Sequence, residues 1–153
     1  MTAGAEQRFL RAAIELAREN VARGGRPFGA LVVKDGAVIA TGVNEILATN
    51  DPTAHAEMGA IRAASRALAS PDLSGCAVYA SGHPCPMCMA AMRMAGVEAV
   101  TFAYSNEDAA PFGLSTAAIY ADLALPFAEQ RMRIRHVRVD DSARPAIYAA
   151  WRP

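Results

Sequence analysis

Residues 29 to 44 read GALVVKDGAVIATGVN. Two short apolar runs, Leu31 to Val33 and Val38 to Ala40, bracket Lys34-Asp35-Gly36. Asp-Gly favours the tight turn whose twist suits two antiparallel strands, so the segment predicts a hairpin. Around it, helical and strand patterns alternate. Residues 6 to 22, EQRFLRAAIELARENVA, place Phe9, Leu10, Ala13, Ile14, Ala17 and Val21 at helical spacing. Gly24-Gly25 and Pro27 end that helix. Asp51-Pro52-Thr53 predicts the opening of a second helix, which runs through Ile61, Ala64 and Leu68 to Ser70. CAVYAS, 76 to 81, predicts a buried strand. A third helix follows Cys85 and runs through Met89, Met92 and Met94 to Gly96, and VEAVTFAYS, 97 to 105, predicts another strand.

The remainder reads less regularly. NEDAAPFGLSTAA, 106 to 118, predicts a loop. MRIRHVRVD, 132 to 140, is a weaker strand signal, and ARPAIYAAWRP, 143 to 153, suggests a short terminal helix. Strands separated by helices imply a largely parallel sheet with one antiparallel hairpin and helices on both faces, an α/β architecture. No repeat, low-complexity tract or linker divides the 153 residues, so a single domain over 1–153 is expected.

Composition excludes several classes. Apolar residues make up 53% and charged residues 20%, which suits a packed core rather than disorder. No apolar run reaches the ~18 residues of a membrane span, and MTAGAEQRFLRAA has no apolar leader core. Fifteen basic and fifteen acidic residues cancel, which argues against a nucleic-acid polymer as the main partner. Three cysteines, Cys76, Cys85 and Cys88, suggest reduced thiols in the cytoplasm.

The chemistry lies in two stretches, NDPTAHAE at 50 to 57 and PCPMC at 84 to 88. Each falls at a predicted helix start, where exposed N–H groups and the helix dipole stabilise thiolates. His55, Cys85 and Cys88 supply one imidazole and two thiolates, three ligands that leave tetrahedral Zn²⁺ one open position. Zinc lowers the pKa of its water toward ~7, and Glu57, two residues from His55, is placed to carry protons beside it. Cys85-x-x-Cys88 alone also suits a thioredoxin-like redox pair; the His-x-Glu upstream favours the metal. Cys76 reads as a small buried hydrophobe, Met87, Met89, Met92 and Met94 as core filling, and His136 as structural. Arg131, Arg133, Arg135 and Arg138 read as a solvated strand face, and as the best candidate for a nucleic-acid patch.

H-x-E followed by P-C-x-x-C is the zinc-deaminase signature. With RPFGALVVKDG, NDPTAHAE, PCPMC and Asp108-Ala109-Ala110, the chain resembles the cytidine deaminase-like superfamily and, within it, bacterial guanine deaminases. That resemblance implies a three-layer α/β/α sandwich around a mixed five-stranded sheet. It also implies a homodimer that can exchange its C-terminal segments, and a small aminated heterocycle as substrate. It assigns Glu57 to catalysis and His55, Cys85 and Cys88 to zinc. It matches Asn44, the Ala56 N–H and Phe28 to substrate contacts. His83 stands where relatives often have Glu; it is a candidate for touching substrate, for bonding a metal ligand, or for a structural part. Asp108 is a substrate contact or a loop cap. Relatives carry an acidic residue where this chain reads Gly113-Leu114-Ser115-Thr116. Within the same superfamily, tRNA-specific adenosine deaminases and cytosine or nucleoside deaminases are the alternatives.

Overall fold

The computed structural model describes residues 3–139 and 146–151. They fall into two compact units, Met1–Ala121 and Asp122–Pro153.

In the first unit, α1 (Ala3–Ala22) leads into the hairpin of β1 (Gly29–Lys34) and β2 (Ala37–Val43). Asp35 and Gly36 take φ of 49° and 76°, the paired left-handed conformations of the tight turn that Asp-Gly predicts. A single turn, α2 (Ile46–Thr49), precedes α3 (Ala56–Leu68). Then come β3 (Cys76–Gly82), α4 (Pro86–Met94), β4 (Ala99–Tyr104), the one-turn α5 (Asn106–Ala109) and α6 (Ala117–Leu123), whose last two residues belong to the second unit.

The sheet order is β2-β1-β3-β4. β1 runs antiparallel to β2 and to β3, whereas β3 and β4 are parallel. The register decides where the connections emerge. Gly29 at the start of β1 pairs with Val43 at the end of β2, Ala30 pairs with Ala80 near the end of β3, and Tyr104 at the end of β4 pairs with Gly82. The C-terminal ends of β2, β3 and β4 therefore share one edge of the sheet.

Alternate residues of β1 serve opposite faces, as the two-residue period of a strand requires. Leu31 and Val33 join Phe9, Ala13 and Tyr79 under α1, with the Phe9 and Tyr79 rings 4.9 Å apart. Ala30 and Val32 join Ala60, Ile61, Ala64, Val78 and Met92 on the face covered by α3 and α4. Cys76 is buried there as expected. Met87 and Met89 pack against the same cluster, but Met94, expected in the core, is 90% exposed.

The sequence readings need three further corrections. The second helix starts at Ala56 and not at Asp51, because Asp51 turns its carboxylate onto the Thr53 N–H and hydroxyl, at 2.8 and 2.7 Å, and closes a local turn. The predicted loop of 106 to 118 contains α5 and, from Ala117, the start of α6, which sequence reading missed. Among the described residues the sheet has four strands, not five. The expected strand at 132 to 139 is irregular and exposed, with Asp140 outside the described residues. Its apolar residues change parity, with Met132 and Ile134 on one side and Val137 and Val139 on the other, so no continuous face exists to bury.

In the second unit, Phe127–Glu129 form a short 3₁₀ turn, and the Gln130 side-chain amide donates to Leu125 O at 2.8 Å. The terminal helix is α7 (Ala146–Ala150); residues 143–145 and 152–153 of its predicted segment lie outside the described residues. No helix among the described residues is long and apolar enough to cross a membrane.

A close approach ties β2 to α3. A Cβ added at Gly42 would lie 2.2 Å from Ala56 O and 2.5 Å from Ala60 N. Those are main-chain atoms and cannot rotate away. Gly42→Ala should therefore push α3 outward and destabilise the fold by about 1–3 kcal/mol. Thermal unfolding measures it; an unchanged melting temperature would contradict this packing.

Candidate active site

Because β2 and β3 end at one edge, α3 and α4 begin there side by side on the same face. His55 is the N-cap of α3, in extended conformation (φ −74°, ψ 157°), and its imidazole makes no capping bond. Cys85 is the N-cap of α4 with nearly the same conformation (φ −72°, ψ 166°), and Pro86 follows at the first helical position. Neither N-cap side chain bonds the helix N–H groups, so both are left to other partners. Cys88, in the first turn of α4, comes back beside Cys85. Glu57, in the first turn of α3, is buried with it.

The three proposed ligands converge. Cys85 Sγ lies 3.5 Å from His55 Nδ1 and 3.5 Å from Cys88 Sγ, and all three donor atoms lie within 4.8 Å of one another. Tetrahedral zinc with its usual bond lengths needs S···S of ~3.8 Å and S···N of ~3.6 Å. The donor set and its spacing therefore fit Zn²⁺ with little movement. Glu57 stays outside that set, with Oε2 3.4 Å from Cys88 Sγ.

Electrostatics follow from this crowding. Cys88 beside it holds the Cys85 thiol low, at about 4, with help from the His55 imidazole. The same contact, burial and the Glu57 carboxylate push the Cys88 thiol up. Contact with Cys85 raises His55 above the ordinary imidazole range. Burial raises Glu57 above the usual carboxylate range, against its own backbone N–H and Cys88, which act the other way.

A cavity of about 270 Å³ opens onto His55, Glu57 and Cys85. Its walls include Asn44, Phe28 and His83, and also Gly113 to Thr116 and Ile119. Asn44 is buried, its carbonyl held by Asn20 Nδ2 at 2.8 Å and its Oδ1 accepting from Ile46 N at 3.2 Å. Ala56, 1% exposed, is the first residue of α3, where backbone N–H groups lack helical partners. His83 lies edge-on to the rings of Phe102 (4.6 Å) and Tyr120 (5.4 Å), with Nδ1 3.0 Å from Pro84 O. The Asp108 carboxylate accepts from Ser105 N at 2.8 Å and from its hydroxyl at 3.0 Å, closing a capping box on α5. It lines the neighbouring cavity of about 530 Å³, which shares Phe28, His83 and Leu114 with the first.

Three residues of this region escaped the sequence reading. Tyr120 of α6 donates its hydroxyl to Pro84 O, bracing the turn before Cys85. Asn20 joins Arg26 O and Asn44 O, each at 2.8 Å. Arg26 stands on the cavity wall. The signals were slight: Ser115-Thr116 ahead of an alanine-rich run for α6, and a buried Asn late in a helix that would gain from Ala there.

The family described as cytidine and deoxycytidylate deaminase zinc-binding region matches residues 4–104. The chain belongs to that family, and the matched span contains His55, Glu57, Cys85 and Cys88. It is 43% identical over 145 residues to the guanine deaminase of Bacillus subtilis (strain 168), covering 94% of this chain and 92% of that one. A crystal structure of guanine deaminase from Bacillus subtilis superposes with a TM-score of 0.88 at 40% identity, covering 99% of this chain and 94% of the other. The tRNA-specific adenosine deaminase of Aquifex aeolicus (strain VF5) is 40% identical over 94 residues, 61% of this chain and 62% of that protein.

Zinc binding should release protons. At pH 7 the raised Cys88 thiol holds its proton in the metal-free protein, and metal ligation requires the thiolate. His55, also raised, must be neutral to bind, so affinity falls as pH drops through its pKa. Titration calorimetry of the zinc-free protein in buffers of different ionisation enthalpy should show about one or more protons released per zinc. Release of none would contradict the arrangement. Cys88→Ala should bind zinc far more weakly by elemental analysis.

Proposed function

We propose that the chain is a zinc-dependent hydrolytic deaminase of a small aminated heterocycle, with guanine or a related purine as the first candidate. The observation that carries this is the juxtaposition of one imidazole, two thiols and a separate buried carboxylate beside one cavity, which His55, Glu57 and Cys85 line. Full-length similarity to a guanine deaminase supports the substrate class.

Zn²⁺ held by His55, Cys85 and Cys88 supplies a Lewis acid that makes water a competent nucleophile near neutral pH. Glu57 does the proton work: it takes a proton from the attacking water and delivers it to the exocyclic nitrogen. The ring carbon gains oxygen and ammonia leaves. Burial raises the Glu57 carboxyl, which suits a group that must hold and then give up a proton near neutrality. Phe28 packs against the ring, the Asn44 amide holds a polar edge, and the Ala56 N–H donates to a ring carbonyl. His83 shapes the wall shared by the two cavities, and Asp108 acts by keeping the 105 to 109 loop in place.

We assign the whole chain to this one activity and place it in the cytoplasm, where thiol ligands stay reduced. We take the active form as a homodimer, with exchange of C-terminal segments. The exposed Phe127, Val137, Ile147 and Trp151 of the second unit support an apolar contact there. The tRNA adenosine deaminase reading is supported by similarity to several such enzymes, among them the Aquifex protein at 40% identity over 94 residues.

An ammonia-release screen of the zinc-loaded protein over guanine, guanosine, cytosine, adenine and adenosine-containing tRNA separates these readings. Turnover of a free base or nucleoside is expected. Glu57→Gln should lower kcat by about 10²–10⁴-fold while zinc content stays at the wild-type value. Retained turnover, or lost zinc, would show that Glu57 has another role.

A further inference from the structure

Arg26 lines the wall of the cavity that opens onto His55 and Glu57, and its side chain is exposed to solvent. Its main chain is pinned. Arg26 O accepts from Phe28 N at 2.8 Å and from the buried Asn20 side chain at 2.8 Å. Asn20 also donates to Asn44 O at 2.8 Å, so the segment bearing Arg26 is tied to the segment bearing Asn44. The guanidinium therefore projects from a fixed point on the rim.

Its charge is unbalanced locally. Arg18 and Arg23 pair with Glu15 and Glu19, whereas Arg26 has no ion pair among the described residues. Among the described residues that line the cavity, the remaining carboxylate is Glu57, which is buried against Cys88. Gly113-Leu114-Ser115-Thr116 and Ile119, which also line the cavity, offer hydroxyls and apolar surface but no acid. A planar guanidinium with unfilled donors matches the forked oxygens of a carboxylate or phosphate.

We propose that Arg26 is a specificity-determining residue that takes an anionic group, a carboxylate or a phosphate, carried by the aminated heterocycle. This rests on the deaminase reading of the cavity and narrows its substrate class. An uncharged base leaves those donors to water, which makes Arg26 an ordinary solvated rim residue.

The test uses the full-length zinc-loaded protein and matched pairs. In the phosphate arm a nucleoside is compared with its 5′-monophosphate; in the carboxylate arm an aminopurine is compared with its carboxymethyl derivative. The expected result is a kcat/KM advantage of about tenfold or more for the anionic member of one arm, expressed mainly in KM and weakened by salt. Arg26→Ala should collapse that ratio toward one, and Arg26→Lys should restore part of it. A ratio equal in wild type and Arg26→Ala overturns the proposal, as does a preference for the uncharged member in both arms. Equilibrium binding of the same pairs to the Glu57→Gln protein, with and without Arg26→Ala, reads the charge preference without turnover. Failure of the deaminase reading, with no ammonia released from any compound, is thereby distinguished from failure of the Arg26 assignment.

Discussion

The antiparallel course of β1 between β2 and β3 is the constraint on which the rest of the molecule depends. It brings the C-terminal ends of β2 and β3 to one edge, although β2 and β3 never pair. The helices that follow then start together, and their N-cap residues, His55 and Cys85, meet at 3.5 Å. The parallel pairing of β4 with β3 sends the 105 to 116 segment to the same edge, where its end closes the cavity. Gly42 belongs to this arrangement, because only a residue without a side chain lets the Ala56 end of α3 lie this close on β2.

At that edge the chain buries groups that do not belong together without a cation. Two thiols lie 3.5 Å apart, and a carboxylate lies 3.4 Å from one of them. Three anions so close are disfavoured in a medium that screens poorly, so the Cys88 thiol and the Glu57 carboxyl are both raised. A divalent cation relieves the sulfur pair and leaves the carboxyl free to exchange its proton with a ligand in the cavity. The same donor set suits a soft-ligand metal, and the raised carboxyl beside it suits acid–base work.

Much of this was legible beforehand, and the reasons are local. Asp35-Gly36 demands a hairpin because few other residue pairs adopt two left-handed conformations in succession. The apolar spacing of Phe9, Ala13 and Ala17 is read directly from a 3.6-residue period. Misreadings arose where one local preference competed with another. Asp51-Pro52-Thr53 has the composition of a helix start, yet Asp51 spends its oxygen on a turn and the helix waits for Ala56. Residues 132 to 139 alternate arginine with apolar side chains, but without a consistent face they add no fifth strand among the described residues. Asp108 satisfied one of its two readings, since its carboxylate caps α5.

By itself, the sequence determined the donor chemistry: an imidazole and a carboxylate two residues apart, and two thiols three residues apart. Those are covalent facts, and the spacing of Cys85 and Cys88 already puts both on one turn. Tertiary structure alone decided that the two stretches, some thirty residues apart, share one edge, since strand order and register arise from packing over the whole sheet. It alone also brought Arg26, Asn20 and Tyr120 to the site. Their roles follow from what they stand beside, and neighbours distant in sequence leave no periodic trace in it.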